Sequence, residues 1–81
     1  MRKLIKGFVK RTYLGCAHNL TFFRCIVLVD GDNLYFGSCS GHYLCVGDYI
    51  ECEAYVRNTP TQNNFTIRRL KNLTIERGTK A

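Results

Sequence analysis

The chain has 81 residues, of which 46% are hydrophobic, and a formal net charge of +6. This length predicts one domain with a small core, and this composition excludes a chain that is disordered throughout. The positive charge lies at the two ends, because residues 1–15 and residues 57–81 each carry a net charge of +5 while residues 16–56 carry −4. A basic balance of this kind favours an anionic partner, and the alternative is a basic surface that binds nothing.

No targeting or membrane-spanning segment is evident from the sequence. Lys6 and Lys10 interrupt any apolar core of a signal peptide, and the longest apolar run, residues 25–29, is too short to cross a membrane. We therefore expect a cytoplasmic protein that does not bind a membrane. In that compartment the five cysteines are expected to be thiols, and their odd number argues against a disulfide framework.

The first predicted strand covers residues 4–13 and carries Gly7 in its interior. A glycine inside a strand marks a bend or a bulge, which a sheet needs where it closes into a barrel. Phe8 stands between Lys6 and Lys10, so it is either a core residue or an exposed aromatic residue, and the local pattern does not distinguish the two.

The second and third predicted strands, residues 21–29 and 33–38, form a hairpin, because Asp30–Asn33 are turn residues that tolerate positive φ. A register with Val29 opposite Leu34 keeps Arg24 in water. The face directed to the core then consists of Phe23, Cys25, Val27, Val29, Leu34 and Phe36. The outward face then consists of Phe22, Arg24, Ile26, Leu28, Tyr35, Gly37 and Cys39. A slip of one residue would exchange the two faces.

The fourth predicted strand, residues 46–56, has the clearest alternation of the chain. Its inward face is predicted to hold Ile50, Cys52, Ala54 and Val56, and its outward face Tyr49, Glu51, Glu53, Tyr55 and Arg57. A polar loop with the single proline follows, and the fifth strand covers residues 64–73. Helical periodicity is absent, apart from at most one turn at residues 40–45.

This pattern resembles the OB-fold, a five-stranded Greek-key barrel that often binds oligonucleotides or oligosaccharides. The resemblance is carried by the glycine-bent Ile5–Val9, by the second strand from Arg24 to its turn at Gly31, and by Val46–Ile50. It covers residues 3–75 and is closest to small stand-alone barrels such as cold-shock proteins, bacterial initiation factor one and phage single-strand-binding proteins. The aromatic motifs of cold-shock proteins are absent. The resemblance implies an all-β barrel over residues 1–76, with a short flexible tail at residues 77–81.

The resemblance also implies that a ligand lies across the second and third strands, between the loops at residues 15–19 and 58–64. Unpaired bases stack on aromatic rings, at about 1–3 kcal/mol each, while Lys and Arg follow the phosphates. Asp30 and Asp32 and the lack of tryptophan count against this partner. The candidate nucleic-acid-binding residues are Lys6, Phe8, Lys10, Arg11, Tyr13, Phe22, Arg24, Tyr35, Arg57, Arg68, Arg69 and Lys71.

The adjacent Arg68 and Arg69 are predicted to point to opposite faces of a regular strand, and one of them is expected to pair with Glu51 or Glu53.

Cysteine and histidine spacing gives a weaker alternative site. Cys39, His42 and Cys45 stand at intervals typical of zinc ligands, with Cys16 or His18 as a possible fourth. We favour free thiols over a zinc site for these cysteines, and no cofactor is expected.

No catalytic constellation is evident, so an enzyme is not expected. The leading interpretation is a protein that binds single-stranded nucleic acid with little sequence preference, DNA being favoured over RNA. By analogy, such a module suits the replication machinery of a phage or mobile element. The alternative is a protein-interaction barrel, an inhibitor or assembly adaptor, because outward Ile26 and Leu28 would form an apolar patch. A homo-oligomer fits either interpretation, and no small-molecule substrate is expected.

Overall fold

The computed structural model describes residues 1–16, 19–39 and 41–78. Its strands are β1 (Lys3–Cys16), β2 (Phe22–Asp30), β3 (Asn33–Ser38), β4 (Tyr49–Asn58) and β5 (Asn64–Glu76). Within these residues there is no helix, so residues 41–45 do not form the helical turn that the sequence allowed. It follows that no described helix could span a membrane.

The strands close into a barrel in the order β1-β2-β3-β5-β4, in which β3 and β5 are parallel and the other neighbours are antiparallel. Closure depends on β1, whose first half pairs with β4 and whose second half pairs with β2. The five-stranded all-β barrel predicted from the sequence is confirmed, and its strand order is compatible with an OB-like fold.

Glycines and bulges allow the sheet to close. A Cβ on Gly7 would lie 2.6 Å from the carbonyl oxygen of Val29, and a Cβ on Gly37 would clash with the carbonyl oxygen of Ile67. The register between β1 and β2 shifts after Val9, so that Lys10 is the extra residue of a bulge. The barrel therefore closes through two backbone contacts that only glycine permits and through a bulge in its longest strand.

Two further bulges bend β5. Arg69 and Asn72 both have φ of 56°, and the register with β4 shifts opposite each of them. Because the strand is irregular there, Arg68 and Arg69 are both exposed instead of facing opposite sides of the sheet, which corrects the prediction made for a regular strand. The residue that pairs with Glu53 across the sheet is Lys71.

The core lies on the face of the hairpin that the sequence analysis had placed outside. The predicted pairing is confirmed, with Val29 opposite Leu34 and Leu28 opposite Tyr35, but Ile26 and Leu28 are 0% exposed and belong to the core cluster. The assignment of faces was therefore wrong. The outward apolar patch of Ile26 and Leu28 that supported a protein-interaction barrel does not exist.

Arg24 explains this error. It shares the inward-facing side of β2 with Ile26, but it lies at the end of the barrel, where its guanidinium donates a hydrogen bond to the Leu44 carbonyl oxygen at 3.0 Å. Arg24 is therefore exposed although it lies on the same side of β2 as the buried Ile26. The register was chosen to place Arg24 in water, but Arg24 reaches water on either face, so this criterion could not identify the inward one. On β4, by contrast, the predicted alternation is confirmed, because Ile50, Cys52 and Ala54 are all buried.

A buried carboxylate fastens the two residues that follow β5 to the barrel. Asp48, which is 3% exposed, accepts hydrogen bonds from Cys45 N at 2.9 Å, Gly78 N at 3.1 Å and Arg77 Nη1 at 2.7 Å. Its own carbonyl oxygen accepts from Val9 N at 2.8 Å. Asp48 therefore joins the turn before β4 to the bulge of β1 and to the residues after β5.

Candidate nucleic-acid interface

The outer surface of β2 and β3 is apolar. Because Ile26 and Leu28 fill the core, the residues that alternate with them point outward and form the outer apolar face, which consists of Phe23, Cys25, Val27, Val29, Leu34 and Phe36. Val27 is 3% exposed, while Leu34 and Phe36 are half-buried. Of the six residues, Cys25 and Val27 are buried and the other four are half-buried, so this face presents partly covered apolar surface to solvent.

A continuous row of paired residues crosses this face and ends in an arginine on each side. The row, here called the arginine-bracketed row, runs across five strands in the order Arg11, Val27, Phe36, Thr66 and Arg57. Both arginines are exposed. A groove of about 250 Å³ lies at its β1 side, lined by Lys10, Arg11, Val27, Leu34 and Phe36. The row places apolar and aromatic surface between two cationic flanks.

A second row, here called the aromatic row, lies beside the first. It runs in the order Tyr49, Phe8, Val29, Leu34 and Asn64. Phe8 is 57% exposed and meets Tyr49 edge to face, with ring centroids 4.9 Å apart. Phe8 is therefore on the surface, which decides between the two alternatives that the sequence left open.

The part of the outer face nearest the end of the β1–β2 hairpin is held by local packing. The Phe23 ring lies over Gly15, where a Cβ would come within 2.8 Å of it. Tyr13 lies opposite Cys25 across β1 and β2, and burial raises the pKa of both groups. The Arg11 guanidinium lies 5.9 Å from the centre of the Tyr13 ring. This end of the face is thus aromatic, partly covered and next to a cation.

Arginines also gather on the outer surface of β4 and β5. The guanidinium carbons of Arg2 and Arg68 lie 4.8 Å and 5.9 Å from the centre of the Tyr55 ring. Arg2 Nε donates a hydrogen bond to the carbonyl oxygen of Arg69 at 3.1 Å. The basic ends of the chain meet here, next to Arg57 of the arginine-bracketed row, and so extend its positive charge.

Three of the residues predicted to bind nucleic acid lie on the inward-facing side of the hairpin. Tyr35 packs against the core and stacks on Phe65 at 5.3 Å. Arg24 bonds to the Leu44 carbonyl oxygen, and its guanidinium lies 5.2 Å from the Tyr43 ring. Phe22 is 68% exposed at the end of the β1–β2 hairpin, away from both rows. These three do not join the outer apolar face.

The other predicted residues are all on the outer surface or at bulges. Lys6 is exposed on β1 opposite Glu51, and Lys71 is exposed on β5 opposite Glu53. The centre of the arginine-bracketed row was not predicted from the sequence, and it consists of Val27, Phe36 and Thr66. The apolar residues at both parities of β2 were the signal that could have found Val27 and Phe36.

The proposed zinc ligands are not brought together. Cys39 is buried in the core cluster at 1% exposure, whereas Cys45 and His42 are partly exposed. Among residues 1–16, 19–39 and 41–78 there is no group of three or more side chains that could hold a metal. His18, named as a possible fourth ligand, lies outside the described residues.

Two hollows border the outer surface. The loop between β4 and β5 forms a polar one of about 240 Å³, whose walls include Thr59, Gln62 and Asn63. A larger cavity of about 470 Å³ lies at the Tyr49 end of the aromatic row, lined by Phe8, Gly47, Tyr49, Glu76, Arg77 and Gly78. The outer apolar face therefore runs towards a cavity with aromatic walls.

No known protein family, curated protein or solved structure matches this chain.

Proposed function

We propose that this protein binds single-stranded nucleic acid, DNA in preference to RNA, by laying the strand across the outer apolar face. The observation that carries the proposal is the arginine-bracketed row, in which Val27 and Phe36 lie between Arg11 and Arg57. Unpaired bases need flat apolar surface and their phosphates need cations, and this row supplies both in one line across the sheet.

The proposed contacts divide between stacking and charge. Phe8, which is exposed, and Phe36, which is half-buried, stack on bases, each contributing roughly 1–3 kcal/mol. Lys10 and Arg11 on one flank, and Arg57 on the other, neutralise phosphates. Stacking accepts any base, because every base has a π-face, so this part of the surface binds with little sequence preference.

Two exposed acidic residues lie outside the path proposed for the strand. Asp32 is exposed at the β2–β3 turn, and Glu51 is on the outer surface of β4, opposite Lys6. A strand that follows the arginine-bracketed row passes over β2, β3 and β5, and so avoids both carboxylates. Asp32, which with Asp30 was expected from the sequence to repel phosphate, therefore limits the extent of the proposed surface and does not exclude the partner.

The test is a fluorescence anisotropy titration with a labelled oligothymidylate of about 20 nucleotides, longer than the site of one barrel of this size. At salt concentrations between about 50 and 200 mM, log K should fall linearly with log salt, with a slope of about −0.7 for each phosphate neutralised. Single-stranded RNA and duplex DNA of equal length should bind more weakly. Absence of binding, or an affinity independent of salt, would show that the proposal is wrong.

A protein-interaction barrel remains the second candidate, on a different observation from the one the sequence suggested. Leu14 and Phe22 lie on one face of the β1–β2 hairpin and are 67% and 68% exposed, and Tyr43, beside Arg24, is 67% exposed. Exposed apolar groups of this size are typical of protein interfaces. Self-association that survives high salt and is abolished by Phe22→Ser would favour this candidate.

A further inference from the structure

The open cavity at the Tyr49 end of the aromatic row is lined by two aromatic rings and two charged side chains. Phe8 and Tyr49 form one wall, with their ring centroids 4.9 Å apart, and Phe8 is 57% exposed. Gly47 and Gly78 line another side of this space of about 470 Å³, and a Cβ on Gly78 would lie 2.8 Å from the Gly47 carbonyl oxygen, so the two glycines lie close together. A planar aromatic ligand therefore has both a surface to stack on and room to enter.

The charged groups of the cavity are one carboxylate and one guanidinium from adjacent residues. Glu76 lies opposite Tyr49 across β4 and β5 and is exposed, and no ion pair joins it to another of the described residues. Arg77 is held in place, because its Nη1 donates to Asp48 Oδ2 at 2.7 Å and to the Tyr43 carbonyl oxygen at 3.1 Å. Its other nitrogens remain as donors beside the cavity.

Among the common bases, guanine matches this pair of groups. Its Watson–Crick edge presents two donors side by side, N1–H and the N2 amino group, next to the O6 acceptor. A carboxylate accepts two parallel donors, and a guanidinium donates to a carbonyl oxygen. Adenine and cytosine each place one amino donor beside a ring acceptor, and thymine places its single N–H between two carbonyl oxygens, so none of them satisfies both oxygens of Glu76.

We propose that this cavity is a guanine-binding subsite, in which the base stacks on Phe8, the Glu76 carboxylate accepts its N1–H and N2 amino group, and Arg77 donates to its O6. The inference rests on the proposed binding of single strands, because the cavity lies at the end of the aromatic row. Lys6 and Lys10 flank Phe8 along β1 and are exposed, so the phosphates on either side of the base meet cations. The subsite adds a preference for one base to a surface that otherwise accepts any base.

The experiment compares oligothymidylates of about 20 nucleotides that carry one central guanine, adenine or hypoxanthine. Hypoxanthine is guanine without the N2 amino group, so it removes one of the two donors to Glu76. One guanine should tighten binding about tenfold over thymine alone, since hydrogen bonds to a charged group are the stronger kind. Hypoxanthine should recover only part of this gain, and adenine none.

Glu76→Gln should abolish the guanine preference and leave the affinity for plain oligothymidylate unchanged or slightly higher. Glu51→Gln is the matched control, because it removes the same charge from an exposed position of β4 outside the cavity, and it should leave the preference intact. Neither change removes a hydrogen bond within the described barrel, so both variants should fold.

The outcomes separate this inference from the proposed function. Binding of plain oligothymidylate without any gain from guanine would overturn the guanine subsite and leave the proposed function standing. A gain that Glu76→Gln does not remove would also overturn it. If no oligonucleotide binds, both proposals fail. Binding of guanosine monophosphate alone in that case, abolished by Glu76→Gln, would show that the cavity holds a free nucleotide instead of a base within a strand.

Discussion

Arg77 donates a hydrogen bond to the buried carboxylate of Asp48 across 2.7 Å, and this ion pair fastens the residues after β5 to the turn before β4. Asp48 is the one buried charged residue among those that the structure describes, and its carboxylate also accepts two backbone N–H groups. A buried charge is tolerated where its hydrogen-bonding capacity is met, and removing its charge leaves those partners poorly satisfied.

Asp48→Asn should therefore destabilise the barrel by about 2 kcal/mol, because the amide loses the charge-assisted bond to Arg77 and cannot accept all the donors that meet the carboxylate. The measurement is the free energy of unfolding from urea titration. Asp32→Asn, a change of the same kind at an exposed turn, should alter stability by less than about 0.5 kcal/mol. Equal effects of the two substitutions would contradict the role given to Asp48.

Stability should also depend on pH through Asp48. The hydrogen bond from Cys45 N–H, with those from Gly78 and Arg77, holds the pKa of Asp48 below its ordinary value, although burial acts in the opposite direction. For a lowered pKa, the stabilisation is complete above the unfolded value of about 3.9 and is lost as the pH falls through the folded value. The difference in unfolding free energy between wild type and Asp48→Asn should thus be largest near neutral pH and shrink below about pH 4.

The five cysteines should differ sharply in reactivity. Burial raises the pKa of Cys52 to about 11 and also raises the pKa of Cys25 and Cys39. Cys16 is exposed and Cys45 is partly exposed. Because the thiolate is the reactive form, iodoacetamide should modify the native protein at Cys16 and Cys45 and reach the other three only after unfolding. Mass spectrometry of peptides from native and urea-unfolded protein tests this, and rapid native labelling of Cys52 would contradict its burial.

Two exposed phenylalanines allow binding at the outer apolar face to be distinguished from binding at the end of the β1–β2 hairpin. Phe8→Ala should weaken the binding of oligothymidylate by roughly 1–3 kcal/mol, because it removes a stacking surface. Phe22→Ala should leave affinity unchanged, since Phe22 is 68% exposed but lies away from both rows. Anisotropy titrations of the two variants at one salt concentration make the comparison. A larger loss of affinity in Phe22→Ala than in Phe8→Ala would show that the strand binds at the end of the β1–β2 hairpin.

The two arginines of the arginine-bracketed row should determine the salt dependence. Removing both in Arg11→Ala/Arg57→Ala should reduce the slope of log K against log salt by about 1.4, because each phosphate contact on a single strand contributes about 0.7. Arg24→Ala is the control for loss of an arginine, because that guanidinium is committed to Leu44 and Tyr43, and its slope should match the wild type. An unchanged slope in the double variant would place the phosphates elsewhere.

The strands and their pairing could be predicted because they depend on local patterns. The alternation of Ile50, Cys52 and Ala54 identified β4 and its inward face, and the turn at Asp30–Asn33 fixed the register of the hairpin. Period-two patterning and turn chemistry act within a few residues, so the sequence displays them directly.

The direction of the hairpin faces could not be predicted, because β2 is apolar at both parities. Ile26 and Leu28 compete for the core with Cys25 and Val27, and hydrophobicity alone does not decide between them. Gly37, which lies opposite Ile26, approaches β5 so closely that a Cβ there would clash with the Ile67 carbonyl oxygen. That contact joins strands far apart in sequence, as do the ion pair of Asp48 with Arg77 and the bond from Arg2 to Arg69. No local pattern reports such contacts.

The double pairing of β1 sets the order in which the barrel is completed. Its second half pairs with β2, the next strand in the chain, while its first half must wait for β4. The β1–β2–β3 meander, which carries the outer apolar face, is thus available to form as soon as residues 8–38 have been made. Ring closure depends on contacts between distant parts of the chain, which are slow to form. During synthesis, the part of this surface that lies on β1, β2 and β3 can therefore pair first, and the arginine-bracketed row is complete only when β4 and β5 supply Arg57 and Thr66.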